Sequence, residues 1–289
     1  MKKNKVKNTT VQNIVLWSVF VLFALYAISI VVPIFWMIMN SLKTAPEYRT
    51  GQFFPGGLEF ANFSEAFNVF YDEYTGVDLF GMIFNSIWYS VGGALLGVIC
   101  STFVAYSISK YRFVGRKLLS AIAIAVMIIP IVGALPSQYS VFETLQMTNS
   151  PLILLSMTSG FGMNYLVMLA AFDNLSWDYA EASFMDGAGH MRVFIQVMLP
   201  QVMPIFTALF LVAFIGIWND YMSPLIFMPD IPMLATSLYE FKSLFKKDMD
   251  LSMPVYFTGV FLCFIPAFVL FMVFQNTIMD ISLSGGVKE

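Results

Sequence analysis

The sequence is poor in charge and in the residue types that carry most enzyme chemistry. Only 11% of its 289 residues are charged, whereas a soluble domain has about 25%. Its two cysteines, Cys100 and Cys263, fall inside apolar runs, where we expect packing residues and not a disulfide or a metal pair. The single histidine, His190, has no companion acids or ligands around it, so we expect it to fill surface. A soluble enzyme is therefore a poor interpretation of this chain.

Several functional signatures are also missing. The sequence has no Gly-x-x-x-x-Gly-Lys-Ser/Thr phosphate loop, so it does not supply an ATP site. The net charge of -3 is small and spread through loops, which favours neither nucleic acid nor an acidic substrate as partner. An intramembrane enzyme would need paired acids, a nucleophile with its base, or metal ligands at membrane depth, and Asp220 is the one candidate acid there. A secondary transporter would be expected to contain inverted repeats, which the sequence does not reveal.

Long apolar runs dominate what is present. Hydrophobic residues make up 58% of the chain, and they gather in stretches of about 20 or more, each long enough to cross the roughly 30 Å hydrocarbon layer as a helix. The chain is therefore predicted to be an all-α polytopic membrane protein with six transmembrane helices. We place these helices at residues 14–39, 80–108, 118–141, 150–172, 201–227 and 254–279.

Basic residues predict the orientation of these helices. Lysines crowd the start of the chain, and a basic group follows the second helix: Lys110, Arg112, Arg116 and Lys117. Because lysine and arginine concentrate in cytoplasmic loops, both termini are predicted to be cytoplasmic. The first apolar run is too long for the core of a signal peptide, so we expect it to be retained.

Prolines interrupt several of the predicted helices. They are Pro33, Pro130, Pro136, Pro204 and Pro266. A proline within a membrane helix leaves a backbone carbonyl without its donor, and that carbonyl needs protein or water beside it rather than lipid. The prolines therefore predict kinked helices in a bundle, where they either line a cavity or only shape the packing.

The segment between the predicted fourth and fifth helices has a broken helical pattern. Ser176 or Asp178 can cap a short helix that runs to about Met185, a Gly-x-Gly turn follows at 187–189, and helical spacing resumes at 192–198. The short helix presents small and apolar groups flanked by carboxylates, which suits a groove on another protein. The alternative is a helix lying on lipid headgroups, for which basic residues would be expected.

This segment carries a family resemblance. Residues 181–200 resemble the EAA loop of permeases from binding-protein-dependent ATP-binding-cassette importers. The Glu-Ala-Ala, Asp-Gly-Ala and Leu-Pro elements of that loop match Glu181, Ala182, Asp186, Gly187, Ala188, Phe194, Ile195, Leu199 and Pro200. Ser183 stands where the family has its second alanine, which is a small change.

Short motifs along nearly the whole chain extend the resemblance. Their order and spacing resemble the maltose-type carbohydrate permeases, specifically the six-helix partner of a two-permease core. The motifs are Ser41-Leu42-Lys43, Phe54-Pro55, Asn62-Phe63, Asn85-Ser86, Ala105-Tyr106, Trp218-Asn219, Pro224-Leu225 and Gly285-Gly286-Val287-Lys288.

The resemblance implies a type I importer permease fold and a mechanism. The short helix would dock in a cleft of a cytoplasmic ATPase, whose closure would turn the permease outward. The implied coupling residues are Glu181, Ala182, Ser183, Met185, Asp186 and Gly187. The implied partners are a second homologous permease, two copies of the ATPase, an extracytoplasmic solute-binding protein and a carbohydrate. ATP and Mg would be bound by the ATPase, with no cofactor on this chain.

The resemblance also organises the chain into a predicted layout in a bacterial cell membrane. The layout is a cytoplasmic N-terminus at 1–13, a first helix at 14–39, an external loop at 40–79, a permease core of five helices at 80–279 containing the coupling loop at 173–200, and a cytoplasmic tail at 280–289.

Polar residues within or beside the predicted helices are candidates for the translocation path. Asn219 and Asp220 fall inside the predicted fifth helix, where a carboxylate costs roughly 3 kcal/mol unless it faces water or a partner. Alternatively, the helix ends earlier and Asp220 lies at the outer surface. The neighbouring Trp218 and Tyr221 fit both interpretations, since aromatic rings stack on sugars and also mark membrane interfaces. Further candidates are Gln138 and Asn85.

The cargo has an open alternative. The same architecture could import glycerol phosphate, a polyamine or a peptide. A phosphate would favour basic residues along the path, and the predicted helices contain none, although a partner permease could supply them.

Overall fold

The computed structural model describes residues 9–129, 133–245 and 252–284. Within those residues the only β pairing is an isolated bridge between Asp72 and Val77, so the fold is all-α as predicted. The helices are α1 (Thr10–Ser41), α2 (Ala45–Arg49), α3 (Ala61–Val69), α4 (Leu79–Lys110), α5 (Arg116–Ile128), α6 (Leu135–Thr144), a 3₁₀ segment (Pro151–Met157), α7 (Met163–Asp173), α8 (Asp178–Met185), α9 (His190–Val193), a π-helical turn (Phe194–Met198), α10 (Leu199–Trp218), α11 (Met222–Phe227), α12 (Leu234–Phe245) and α13 (Met253–Ser284).

Several helices are long and apolar enough to cross a membrane. In the described part of the chain there are four such stretches, at Thr10–Ser41, Leu79–Lys110, His190–Trp218 and Met253–Gln275. The first, second and last correspond to the predicted first, second and sixth helices. The protein is thus a multi-pass membrane protein, and the count of six spans stays a prediction.

The continuous helix predicted at 118–141 is wrong. The chain forms α5, leaves the helical conformation after Ile128, and forms a separate α6 from Leu135. Gly133 has a φ of +76°, which a helix interior does not allow, and Pro136 lies in the first turn of α6, where its missing N–H does no harm. Pro130 lies outside the described residues.

The predictions at 150–172 and 201–227 are also wrong in their bounds. The first is divided into the 3₁₀ segment and α7, because Gly162 adopts a φ of +142° between them. The second begins earlier, since the helix containing α10 starts at His190, and it ends earlier, at Trp218. Residues 219–221 separate it from the short α11.

Contacts divide the chain into two compact units. Among the described residues, one unit contains 9–69, 244–245 and 252–262, and the other contains 70–129, 133–243 and 263–284. In the first unit, α1 exposes its apolar side chains all round over most of its length. A helix that is apolar on every side is typical of a membrane span.

A buried lysine organises the segment after α1. Lys43 is 2% exposed, and its Nζ donates to Asn40 Oδ1 at 2.8 Å and to the carbonyl oxygen of Gln52 at 2.6 Å. Asn62 Nδ2 donates to the carbonyl oxygens of Ser41 and Lys43, both at 2.8 Å. This arrangement explains physically why the Ser-Leu-Lys and Asn-Phe motifs occur together, since they hold one folded segment.

In the second unit, α4 is the central helix. It packs against α7, α10 and the 3₁₀ segment. Gly97 permits the last of these contacts, because a Cβ there would lie 3.0 Å from the backbone oxygen of Met157. Toward its Lys110 end, α4 joins a buried group that we call the Tyr106 cluster. Its members include Tyr106, Tyr165, Met168, Phe172, Phe194 and Met198.

Candidate functional site

The loop that follows α7 contains the predicted short helix, but the predicted cap is wrong, since the N-cap residue is Trp177 and its side chain makes no capping hydrogen bond. The short helix α8 ends at Met185, and Ser176 Oγ accepts a hydrogen bond from the N–H of Asp178 at 3.2 Å. Ala180 is fully buried, and Trp177 and Phe184 pack against the Tyr106 cluster. One side of α8 is therefore packed against the Tyr106 cluster.

The other side of α8 is open. Glu181, Ala182, Met185 and Asp186 are all exposed, and the Met185 side chain is 88% exposed. Ser183 is half-buried, and its Oγ donates to the carbonyl oxygen of Tyr179 at 2.9 Å. The predicted coupling residues thus form one exposed face, except that Ser183 lies at its edge.

A glycine-dependent turn ends α8. Gly187 has a φ of +80°, and its N–H donates to the carbonyl oxygen of Phe184 at 3.0 Å, while the N–H of Ala188 donates to that of Ser183 at 3.1 Å. These are the two hydrogen bonds of a Schellman motif, which places a glycine in the left-handed region just past the helix. The turn fixes the direction in which the chain leaves α8.

After this turn the chain enters the next membrane helix without a further break. Helical structure resumes at His190, passes through the π-helical turn and continues to Trp218. Pro200 lies in the first turn of α10 and Pro204 lies inside it, and neither can donate a backbone hydrogen bond. The coupling loop is therefore directly continuous with a membrane-spanning helix.

Residues at the Lys110 end of α4 hold this loop. Lys110 Nζ donates to the carbonyl oxygen of Leu175 at 2.7 Å, and Ser109 Oγ donates to Asp173 Oδ1. Tyr111 Oη lies 3.0 Å from Nδ1 of His190. His190 is exposed at the surface, as the sequence predicts, but sequence reasoning missed its contact with Tyr111 and the contacts of Ser109 and Lys110. The available signal was the polar run Ser109-Lys110-Tyr111 at the end of an apolar helix.

The candidate path residues on the fifth predicted helix lie at its end. Trp218 is the last residue of α10, is buried and stacks on Phe214 with centroids 5.6 Å apart. Asn219 and Asp220 follow the helix and are not well inside it. Asp220 Oδ1 accepts hydrogen bonds from the backbone N–H groups of residues 222 and 223 and so caps α11. The ring of Tyr221 stacks on that of Tyr239, with the ring centroids 4.5 Å apart.

The other two candidates lie on different helices. Gln138 is exposed on α6. Asn85, on α4, donates from Nδ2 to the carbonyl oxygen of Pro232 at 3.0 Å and accepts from Nε1 of Trp88 at 3.3 Å. Asn85 thus ties the Leu79 half of α4 to the segment after α11.

In the described ranges no group of three or more His, Cys, Asp or Glu residues could hold a metal ion. The described features that stand out are an exposed acidic and apolar helix face, a constrained turn and a continuous helix leading into the membrane. An exposed face of this kind suits a groove on another protein.

Comparisons with known proteins agree with this geometry. The family described as binding-protein-dependent transport system inner membrane component matches residues 93–282. The chain is 26% identical to the diacetylchitobiose uptake system permease protein NgcG of Streptomyces coelicolor, over 92% of this chain and 86% of that protein. It is 27% identical to the galactooligosaccharides transport system permease protein GanQ of Bacillus subtilis, over 93% of this chain and 94% of that protein.

A solved structure shares the fold. It is a chain of a bacterial ABC transporter involved in the import of the acidic polysaccharide alginate, with a TM-score of 0.74 and 21% identity, over 94% of this chain and 99% of that one. Because the family model covers well over half of the sequence, the chain belongs to the binding-protein-dependent transport system inner membrane components, and it is a permease subunit of that family.

Proposed function

We propose that this permease imports a carbohydrate, most simply an oligosaccharide, and that ATP hydrolysis on a separate subunit drives it. The observation that carries the proposal is the coupling loop, in which an exposed acidic helix is held on one side by the bundle and continues into a membrane helix. A bound protein changes a conformational equilibrium only through contacts that differ between the states, and the exposed face of α8 is suited to such contacts.

The partners follow from the family and from the exposed faces. Members of this family work in general with an ATPase and a solute-binding protein. We assign the exposed face of α8 to the ATPase, with Glu181 opposite a basic residue and Met185 in an apolar cleft. The assembly would contain a second homologous permease and two ATPase copies, and ATP and Mg would be bound there.

Sugar cargo is supported by the printed functions of the relatives. They include permeases for diacetylchitobiose, for galactooligosaccharides, and for melibiose, raffinose and stachyose. Each of these is a permease of 25–27% identity that aligns with at least 92% of this chain. Their cargoes are all linked sugars, so we assign that class here in preference to a phosphate, polyamine or peptide.

The proposed orientation puts the coupling loop and both termini in the cytoplasm of a bacterial cell. The first ground is the group of basic residues after α4, which favours the cytoplasm for that end of the helix. The second is the contact between Tyr111 and His190, which puts α8 on the same side of the membrane as the Lys110 end of α4. The segment 40–79 would then be external, with the coupling loop at 173–200 inside.

The test of the function is uptake by a reconstituted system. The full chain would be purified with its partner permease and ATPase from the neighbouring reading frames and reconstituted with the solute-binding protein. We expect ATP-dependent uptake of a labelled neutral oligosaccharide, and uptake at the level of empty vesicles when the ATPase is omitted. Uptake in the absence of the ATPase would contradict the proposed energy source. Uptake of glycerol phosphate, a polyamine or a peptide without uptake of any oligosaccharide would contradict the proposed cargo.

The proposed translocation path runs past the break between α10 and α11. It would be lined by Trp218, Asn219, Asp220, Tyr221, Gln138 and Asn85, and Asn219 is an exposed residue at the break itself. In a background without Cys100 and Cys263, Asn219→Cys is expected to react with a membrane-impermeant thiol reagent at a rate that changes several-fold during ATP turnover, because turnover opens and closes the path. Tyr74→Cys, on a fully exposed turn, is the control and should react at one rate. Equal behaviour of the two variants would remove Asn219 from the path.

A further inference from the structure

His190 stands where three elements meet. It is the first residue of α9, so it begins the helix that leads into the membrane. Its ring packs edge-on against Phe184 of α8, with centroids 4.9 Å apart, and against Tyr111, with centroids 5.6 Å apart. The Nδ1 atom also hydrogen-bonds with Tyr111 Oη at 3.0 Å. One side chain thus contacts the coupling helix, the following span and the end of α4.

Tyr111 is held in place to receive this contact. It caps the C-terminus of α4 in an extended conformation, and its N–H donates to the carbonyl oxygen of Ser107 at 3.2 Å. Its ring packs edge-on against Tyr106 at 5.6 Å and against Trp177, which precedes α8, at 6.0 Å. The tyrosine therefore belongs mechanically to α4 while it touches both ends of the coupling segment.

Other contacts make the same connection at the start of the loop. Lys110 and Ser109 bond to Leu175 and Asp173, which lie just before α8. The next span is already packed against α8, because Ala180 belongs to the Tyr106 cluster, Phe184 contacts it, and the cluster contains Phe194 and Met198. The end of α8 is joined to that span by the turn 186–189, and His190 adds a side-chain contact beside this turn.

We infer that His190 and Tyr111 form a brace that makes α4 move with the coupling helix. On this inference, which rests on the proposed function, a displacement of α8 by the ATPase reaches the bundle through the Tyr106 cluster, on which α8 packs, and by two further routes. The first is the covalent route through α9 into α10, and the second passes from Phe184 through His190 and Tyr111 into α4. These are positioning residues, since neither needs to touch the transported solute or ATP.

The test compares variants by the number of ATP molecules hydrolysed for each solute transported in the reconstituted complex. Tyr111→Phe removes one hydroxyl and keeps the ring, and this ratio should rise about fivefold, as expected for loss of a single hydrogen bond. His190→Ala removes the ring as well and should raise it further. His190→Asn, which keeps a polar atom near the position of Nδ1, should restore part of the coupling.

The matched control is Tyr165→Phe. It removes a hydrogen bond of similar length, 3.1 Å from Tyr165 Oη to Ser120 Oγ, in the Tyr106 cluster but away from the coupling loop. Tyr165→Phe should lower the stability of the protein about as much as Tyr111→Phe does. Its number of ATP molecules hydrolysed for each solute transported should equal that of the unaltered protein. The comparison separates a positioning role from a structural one.

The outcomes separate this inference from the proposed function. Suppose that the unaltered complex shows ATP-dependent uptake, and that Tyr111→Phe and His190→Ala hydrolyse the same number of ATP molecules for each solute. The brace is then overturned and the proposed function stands. If the control Tyr165→Phe and the test variant Tyr111→Phe raise the ratio equally, the brace is again overturned, because general loosening explains the effect. If the unaltered complex shows no ATP-dependent uptake, both fall together.

Discussion

Replacing Gly187 with proline is expected to lower ATP-dependent uptake by about 100-fold while ATP hydrolysis continues, because proline cannot adopt a positive φ. The observed φ is +80°, and the proline ring would also remove the hydrogen bond from the Gly187 N–H to Phe184. The helix α8 would then point in another direction relative to α9. The measurements are uptake and ATPase activity of the same reconstituted preparation.

Two further variants isolate the backbone as the cause. A Cβ on Gly187 would meet nothing within 4 Å, so Gly187→Ala introduces strain of about 1–2 kcal/mol without a clash and should give an intermediate loss. Gly189 also has open space around a Cβ, but its φ is −77°, so Gly189→Ala should transport normally. Equal activity of Gly187→Pro and Gly189→Ala would refute the role of the turn.

Replacing Lys43 with methionine is expected to destabilise the protein by about 3 kcal/mol, because it leaves one buried and one partly buried acceptor of a charge-assisted network without a donor. The acceptors are Asn40 Oδ1 and the carbonyl oxygen of Gln52. Methionine has a similar length, so the loss reflects the missing hydrogen bonds more than a cavity. The measurement is the unfolding temperature of the purified chain in detergent, with its abundance in the membrane as a second readout.

The control for this variant is Arg49→Met. Arg49 is an exposed basic residue of α2, and an exposed charge contributes little to stability. The two variants change the net charge equally. The difference between their unfolding temperatures therefore reports the effect of burying the Lys43 side chain and its hydrogen bonds. Similar unfolding temperatures for both would show that the network around Lys43 contributes nothing measurable.

Long apolar runs were the most predictable feature of the fold. The predicted first, second and sixth helices fall on α1, α4 and α13 because hydropathy continues unbroken through each of them. The third and fourth failed since hydropathy does not report backbone conformation. Gly133 and Gly162 adopt positive φ values within apolar sequence, and composition alone cannot distinguish a helix from two shorter elements joined by such a residue.

The coupling loop was predictable for a different reason. Its turn is local, and a glycine just past a short helix is a sequence signal for a Schellman ending. The contact between Tyr111 and His190 joins residues 79 positions apart, and no local pattern encodes it. The same holds for the pairing of Asn85 with Pro232, which only the packing of α4 brings about.

The length of α4 has a mechanical consequence. From Asn85 to Tyr111 the helix measures about 39 Å, so a rotation of about 5° at one end would shift the other by roughly 3 Å. The hydrogen bond from Asn85 Nδ2 to the carbonyl oxygen of Pro232 is 3.0 Å long, and a further separation of about 3 Å would break it. A small tilt of α4 at its Lys110 end would therefore be enough to separate Asn85 from the segment after α11.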